Sequence, residues 1–417
     1  SKPYPWVTLL GENGCGKSTI IQSIGLLLAG PEGAQTLVPR PEGWLRDEEK
    51  PGKLSIRIHQ GEKDPGQFGQ KRIFRYYGYT FFLTGSAPLK IRNKVYTEPT
   101  IVEQPNKRLT WLRQNAFKSK GEGWFSVGYG AFRRLTRSSQ VIIPSLQPAA
   151  RYTNFITQFN EDEPLSAFEQ WMVYLDYRII KEKDKEAKKQ KELGVAAINE
   201  ILPGGTEFHG ITSEGKILYR IGGQLVPTIS MSDGYRSILA LAGDLVWRLI
   251  QAFPGSANPL QEEGVVLIDE LDIHLHPAWQ REIGGWLRKQ FPNIQFIVAT
   301  HSPIIAAGAG EDALTYKFTL SEGVSKAEVV KDLDAMAVDR ILMSKAFGLV
   351  SPYSPVAQAK IDKYDQLMRK GQQRSPAEEE KLQLLLPFIK KAIPIGGPVE
   401  PGSTSEQIDK YIKKVLK

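Results

Sequence analysis

Apolar positions along the chain fall into three patterns, and each predicts a different element. Short, nearly unbroken runs predict strands buried on both faces: Trp6-Val7-Thr8-Leu9-Leu10, Val265-Val266-Leu267-Ile268 and Phe296-Ile297-Val298-Ala299. Alternation predicts a half-buried strand, and Leu54, Ile56 and Ile58 alternate with polar residues. Residues 72–83 predict a second strand, dense in aromatics, while 216–221 and 224–229 flank Gly222-Gly223 as a β-hairpin does. Helical spacing covers 19–28, a long segment after residue 166, and 238–249.

Turn and cap residues divide these elements. Residues 30–52, rich in Pro, Gly and charge, predict a loop. Ser166 with Glu169 forms a capping box that opens the helical segment, with Trp171, Tyr174, Leu175 and Arg178 continuing at helical spacing. Residues 181–192 are nearly all charged and read as a solvated helical arm, which ends at Leu202-Pro203-Gly204-Gly205. Toward the C-terminus, 339–347 is amphipathic, and Ser354-Pro355 and Ser375-Pro376 start helices, the second with Glu378 completing a capping box. A box at Ser403 and Glu406 opens a last helix with Ile408, Tyr411, Ile412, Val415 and Leu416 on one face. That stripe packs on the parent domain or docks a partner or second protomer.

The buried strands lead into candidate chemistry. Gly11-Glu12-Asn13-Gly14-Cys15-Gly16-Lys17-Ser18-Thr19 lies between the first strand and a helix, the context of a phosphate-binding loop. Its glycines let successive N–H groups turn toward phosphate, and the helix start adds its positive dipole end. Lys17 is expected to reach the β- and γ-phosphates of ATP, and Ser18 to ligate Mg²⁺. Asp269 and Glu270 end the second buried strand, Asp269 as a Mg²⁺ holder and Glu270 as the group that orients the attacking water. His301 ends the third, where it can reach a γ-phosphate. Ser232 and Gly234 precede the 238–249 helix, and a serine hydroxyl and glycine amide there make an anion clamp. In Gly128-Tyr129-Gly130-Ala131-Phe132-Arg133-Arg134 a strand turns into an exposed basic loop, whose arginines hold phosphate or a partner, or form surface salt bridges.

Bulk properties narrow the class. The chain of 417 residues is long enough for one large or two modest domains. Its one cysteine, Cys15, lies in the phosphate loop, which excludes a disulfide framework or cysteine-rich metal site and fits a reducing cytoplasm. No apolar run is long enough to span a membrane, and no signal peptide is recognisable. The net charge of +8 permits a nucleic-acid partner without demanding one; the basic stretch with Lys107, Arg108, Arg113, Lys118 and Lys120 is a nucleic-acid face or a solvated loop. Asp332-Leu333-Asp334 reads as a loop rather than a metal site. The first strand follows the start so closely that further N-terminal residues, an adenine-contacting element among them, are expected.

Together these residues resemble the ABC-type ATPases, in the branch with SMC, RecF and OLD-family proteins, over about residues 5–310. Ser232-Asp233-Gly234-Tyr235 is similar to the signature motif, Glu270 to the catalytic glutamate and His301 to the switch histidine. Leu275-His276-Pro277 puts His276 where an aspartate commonly sits, a departure shared with OLD-like defence ATPases; Gln140, Gln147 and Gln158 are all candidates for the Q-loop glutamine. The Gly-Tyr-Gly-x-Phe-Arg-Arg, Ser-Asp-Gly-Tyr-Arg and Thr-His-Ser-Pro stretches are most similar to anti-phage ATPases of the PtuA type from Septu and retron systems.

The resemblance implies an α/β fold: an ABC-type ATPase head with a β-rich N-terminal lobe (1–160), a helical insertion (161–205), a C-terminal lobe (206–330) and a helical C-terminal region (331–417). It implies Mg²⁺-dependent ATP hydrolysis, slow in a sensor, in a homodimer or higher oligomer that joins one chain's phosphate loop to the other's signature. It further implies a separate effector, such as an HNH-type nuclease, since no nuclease motif is legible in the chain. A RecF- or SMC-like DNA maintenance ATPase is the alternative; a transporter subunit would need a membrane partner that nothing in the sequence identifies.

Overall fold

The computed structural model describes residues 3–62, 64–66, 76–118, 123–133, 135, 150–161, 163 and 165–392. They fall into two units, 1–338 and 339–417.

In the first unit β1 (Trp6–Gly11) passes through the glycine loop into α1 (Lys17–Leu37). β2 (Gly52–His59), β3 (Tyr76–Leu83), the short pair β4 (Leu89–Ile91) and β5 (Lys94–Tyr96), β6 (Ile101–Glu103) and α2 (Lys107–Asn115) follow. Next come β7 (Phe125–Tyr129), α3 (Ile156–Phe159) and the helices α4 (Ala167–Glu182) and α5 (Lys185–Ile201). A meander of β8 (Glu207–Ile211), β9 (Ile217–Ile221) and β10 (Gln224–Pro227) leads to α6 (Asp233–Ala252). β11 (Gly264–Ile268), α7 (Pro277–Gln290), β12 (Ile294–Thr300), α8 (Pro303–Ala307), β13 (Ala313–Ser321) and β14 (Val324–Val330) complete the unit's strands and helices up to α9 (Val338–Met343).

The central sheet runs β14-β13-β1-β12-β11-β7. Five strands are parallel, and β14 pairs antiparallel with β13. The near-continuous apolar runs are thus the central strands of a sheet covered on both faces. β12 lies between β1 and β11, pairing Leu10 with Thr300 and Ile268 with Val298. Because all three run in one direction, the glycine loop, Asp269-Glu270 and His301 emerge at the same edge. One face packs on α4–α7 through Phe168, Leu245, Phe296 and their neighbours. On α1, Ile21 and Leu28 join Leu267 and Ala299, while Leu26 and Leu27 face the antiparallel β2-β3-β6 layer.

Several local expectations change. Helix α1 extends to Leu37, with a break at Gly30 (φ 82°, ψ 173°), so 31–37 is helical rather than loop; Pro31 has the fixed φ of a helix start and no N–H to waste there. Ser166 precedes α4 but makes no capping bond. The charged arm is two helices: Lys183 turns left-handed (φ 53°), and the Asp184 carboxylate accepts from Glu186 N and Ala187 N to start α5. β3 begins at Tyr76, and 72–75 lie outside the described residues. The hairpin strand β10 ends at Pro227, and 228–230 form a 3₁₀ turn. Asp332-Leu333-Asp334 is loop.

In the second unit α10 (Pro355–Arg369) and α11 (Pro376–Ala392) pack through Ile361, Tyr364 and Leu367 against Leu382 and Ile389. The capping box is complete: Glu378 N donates to Ser375 Oγ (3.3 Å) and Ser375 N to Glu378 Oε2 (3.0 Å). The stripe and box of 403–416 lie outside the described residues. Among the described residues no helix is long and apolar enough to cross a membrane.

Candidate functional site

The loop that joins β1 to α1 has two left-handed residues, Gly14 (φ 76°) and Gly16 (φ 90°), a conformation that side chains resist. Gly16 is the N-cap of α1; no side chain caps this end and no acidic residue lies in its first turn. The amide donors there are left for an anion. Ser325 of β14 braces the loop by donating to Cys15 O (2.7 Å), a contact that sequence alone did not indicate.

Lys17 is buried, and its ammonium donates to Gly11 O and Glu12 O, both at 2.9 Å. Nζ also lies 3.1 Å from His301 Nε2 and 3.9 Å from Cys15 Sγ. A lysine ammonium only donates, so Nε2 is the acceptor and the imidazole proton sits on Nδ1. His301 is fixed in turn by Asp272, whose Oδ1 accepts from His301 N (3.3 Å) and from the Thr300 hydroxyl. Ser302 then caps α8, accepting from Ile304 N (3.1 Å) and Ile305 N (3.2 Å).

Asp269 is buried beside this pair. Its main-chain N donates to Tyr129 O (2.9 Å), which joins the ends of β7 and β11. Burial raises its carboxyl pKa above the usual range; a hydrogen bond from Ser18, the Glu270 N–H and the charges of Arg133 and Lys17 oppose that shift. Oδ1 has no hydrogen-bond partner. A buried carboxylate oxygen without a partner, beside a serine hydroxyl, fits a hard cation such as Mg²⁺, which takes oxygen ligands and completes its shell with water and phosphate. Among the described residues no cluster of three His, Cys, Asp or Glu forms a cation cage, so phosphate oxygens would have to supply the rest.

Glu270 is half-buried with φ 45°, left-handed for a non-glycine residue. Its carbonyl accepts from Ile273 N (3.1 Å) and Arg133 Nη2 (2.9 Å), and no hydrogen bond from the described residues occupies its carboxylate. Arg133 corrects the expectation of an exposed basic loop: it is 4% exposed, and its guanidinium binds main-chain carbonyls rather than a surface carboxylate. Arg134 lies outside the described residues.

Lys17, Ser18, Asp269 and His301 are therefore brought together, with Gly11, Asn13, Gly14, Cys15, Gly16 and Thr19 on the same loop or its helix. Ser232 and Gly234 share no hydrogen bond with that group. Ser232 is exposed before α6, and its hydroxyl makes no capping bond. At Gly234 a Cβ would lie 2.8 Å from His274 O and 3.0 Å from the Trp279 ring, so only glycine permits this approach. Tyr235 meets Trp279 edge-on at 4.7 Å. His276 is the N-cap of α7, its Nδ1 accepting from Ala278 N (3.3 Å). Of the glutamine candidates, Gln158 is buried between Gly25 and Gly128 with both amide atoms unpartnered, while Gln140 and Gln147 lie outside the described residues.

Residues 7–307 match the family described as "AAA domain, putative AbiEii toxin, Type IV TA system". The chain is similar to the Septu protein PtuA of Bacillus mycoides, at 27% identity over 100% of this chain and 51% of that protein. It is similar to the Septu protein PtuA of Bacillus thuringiensis at 24% identity, over 74% of this chain and 71% of that protein. The "Retron Vc95 probable ATPase" of Vibrio cholerae shares 36% identity over 36% of this chain and 30% of that protein. The chain thus spans 51% and 30% of the lengths of the Bacillus mycoides and Vibrio cholerae relatives.

Proposed function

The chain belongs to this AAA-domain family, and from that premise we propose that it binds ATP with Mg²⁺ and hydrolyses it as the switch of an anti-phage defence system that controls a separate effector. The observation that carries the reading is the convergence of Lys17, Ser18, Asp269 and His301 at one edge of a parallel sheet, with Glu270 next in the chain to Asp269 and its carboxylate without a hydrogen bond from the described residues. Lys17 exchanges its two carbonyl partners for the β- and γ-phosphates, and the loop amides take the remaining phosphate oxygens. Glu270 orients the attacking water, and His301 holds the γ-phosphate end. Ser18 and Asp269 would hold Mg²⁺, which offsets the phosphate charge.

Ser232 and Gly234 share no hydrogen bond with the Lys17 group, which supports their serving the phosphate loop of a second copy in a homodimer or larger assembly. Septu and retron relatives support the defence role. The effector is proposed as a nuclease, HNH-type for example. The RecF- or SMC-like alternative needs a strong basic face, and Arg113 in the basic stretch is already paired with Glu32 and Glu103.

Mixing two variants tests the shared site. Lys17→Ala and Ser232→Arg are each expected to lose ATP turnover, and an equimolar mixture to regain a substantial part of it, because one intact composite site forms. Two variants that each keep full turnover would discard the site; loss without recovery would discard the shared dimer. Capture by Glu270→Gln with ATP and Mg²⁺ then separates the roles: a stoichiometric nuclease supports the defence switch, and DNA alone released by salt supports the alternative.

A further inference from the structure

We propose that Arg133 is a positioning residue for ATP hydrolysis, clamping the main chain of Asp269 and Glu270 so that the Glu270 carboxylate is held in one orientation. The proposal rests on the role given to Glu270 above.

A guanidinium as buried as that of Arg133 ordinarily pairs with a carboxylate. Asp269, Asp272 and Glu270 supply the surrounding negative charge, yet the hydrogen bonds go elsewhere. Nη1 donates to Gly130 O (3.0 Å) and Asp269 O (2.7 Å), and Nη2 donates to Glu270 O (2.9 Å). The charge is therefore retained near the acidic strand end, while none of the three carboxylates accepts a hydrogen bond from it. Burial lowers the Arg133 pKa to about 10, which leaves it a cation at neutral pH.

The fork is matched to a strained backbone. Glu270 has φ 45°, and such a conformation persists only where its surroundings over-determine it. Arg133 grips the carbonyl before and the carbonyl of the strained residue itself, while Ile273 N takes the latter from the other side. Lys17 shows that one ammonium nitrogen can reach two successive carbonyls, but the Arg133 fork holds three carbonyls with two nitrogens fixed in one plane, which a single nitrogen on a flexible stem does not reproduce. Arg133 is set by the turn after β7, and β7 is bonded to β11 in register through Ile268 and Tyr129. A rigid sheet edge thus sets the orientation of a group that must meet water at the correct angle.

The test uses the full chain, with ATP affinity read from a fluorescent nucleotide and kcat from phosphate release. In Arg133→Ala, kcat is expected to fall about 100-fold, as a misplaced reacting group does, with ATP affinity changed less than about threefold. Added guanidinium ion is expected to restore at least about a tenth of the lost rate, and Arg133→Lys to remain slow. In a Glu270→Gln background Arg133→Ala is expected to slow turnover little further, since the two residues act as one unit. If Arg133→Ala does not fold, Arg133→Lys alone carries the affinity, kcat and double-variant comparisons. Unchanged kcat, or equal loss of affinity and rate that adds fully to Glu270→Gln, would overturn the proposal. Glu270→Gln with parental turnover would instead remove the premise about Glu270.

Discussion

Lys17 Nζ and His301 Nε2 lie 3.1 Å apart across 284 residues of chain. The contact exists because β1 and β12 are adjacent parallel strands ending at the same level. It makes His301 an acceptor, with its proton on Nδ1, when no phosphate separates the two.

His301→Ala should therefore affect turnover more than binding. The expected result is a kcat lower by about 10- to 100-fold, with ATP affinity within about threefold of the parent, because Lys17 keeps both carbonyl contacts and, in the proposed function, remains available to phosphate. Phosphate release and nucleotide titration check both quantities. A parental kcat would assign the histidine to architecture alone.

Glu270→Gln keeps the shape of the side chain and removes the negative charge proposed to orient the attacking water. Turnover should drop by about 10²- to 10⁴-fold while ATP remains bound. Native mass spectrometry with ATP and Mg²⁺ should then find the oligomer enriched over the nucleotide-free sample. The backbone needs no rearrangement, because the carbonyl of residue 270, not the carboxylate, meets Arg133 and Ile273.

Asp269→Asn should exchange stability for function. Burial raises the Asp269 pKa, so the folded chain holds the proton more tightly than the unfolded one. This favours folding at low pH, and the contribution is lost as pH climbs through the raised value. The asparagine variant carries no such loss: it should melt higher than the parent at about pH 8, with the gap narrowing toward about pH 4. Adding Mg²⁺ to ATP should raise the parent's melting temperature further than ATP alone does, and should add little in the variant. A lower melting temperature for the variant at both pH values would contradict the burial argument.

Gly128→Ala should destabilise the first unit by about 2 kcal/mol through overpacking. A Cβ at residue 128 would sit 2.2 Å from Gln158 Oε1, and that side chain is already wedged against Gly25. Thermal unfolding measures the cost. The double variant Gly128→Ala with Gln158→Ala should recover much of it, since the clash is removed.

Elements built from neighbouring residues were legible in the chain itself. The apolar runs of β1, β11 and β12, the glycine loop with Lys17 and Ser18, and the Ser375–Glu378 box all depend on contacts within a few positions or on the burial of a whole strand. The same local reading missed the helical turn of 31–37 that follows the break at Gly30 and placed a cap at Ser166 that does not form, because tertiary packing outweighs single-residue propensity. Arg133 read as a surface cation, since composition carries no sign that Asp269 and Glu270 would present carbonyls to it from 136 and 137 residues away. The roles of Asp272, Ser325 and Gln158 were hidden for the same reason. Sequence by itself marked the candidate phosphate-binding residues and determined which segments were strands. Only the tertiary structure decided their strand order, and with it that β12 carries His301 between the phosphate loop and the acidic strand end, because parallel neighbours are chosen by packing over long separations and not by local pattern.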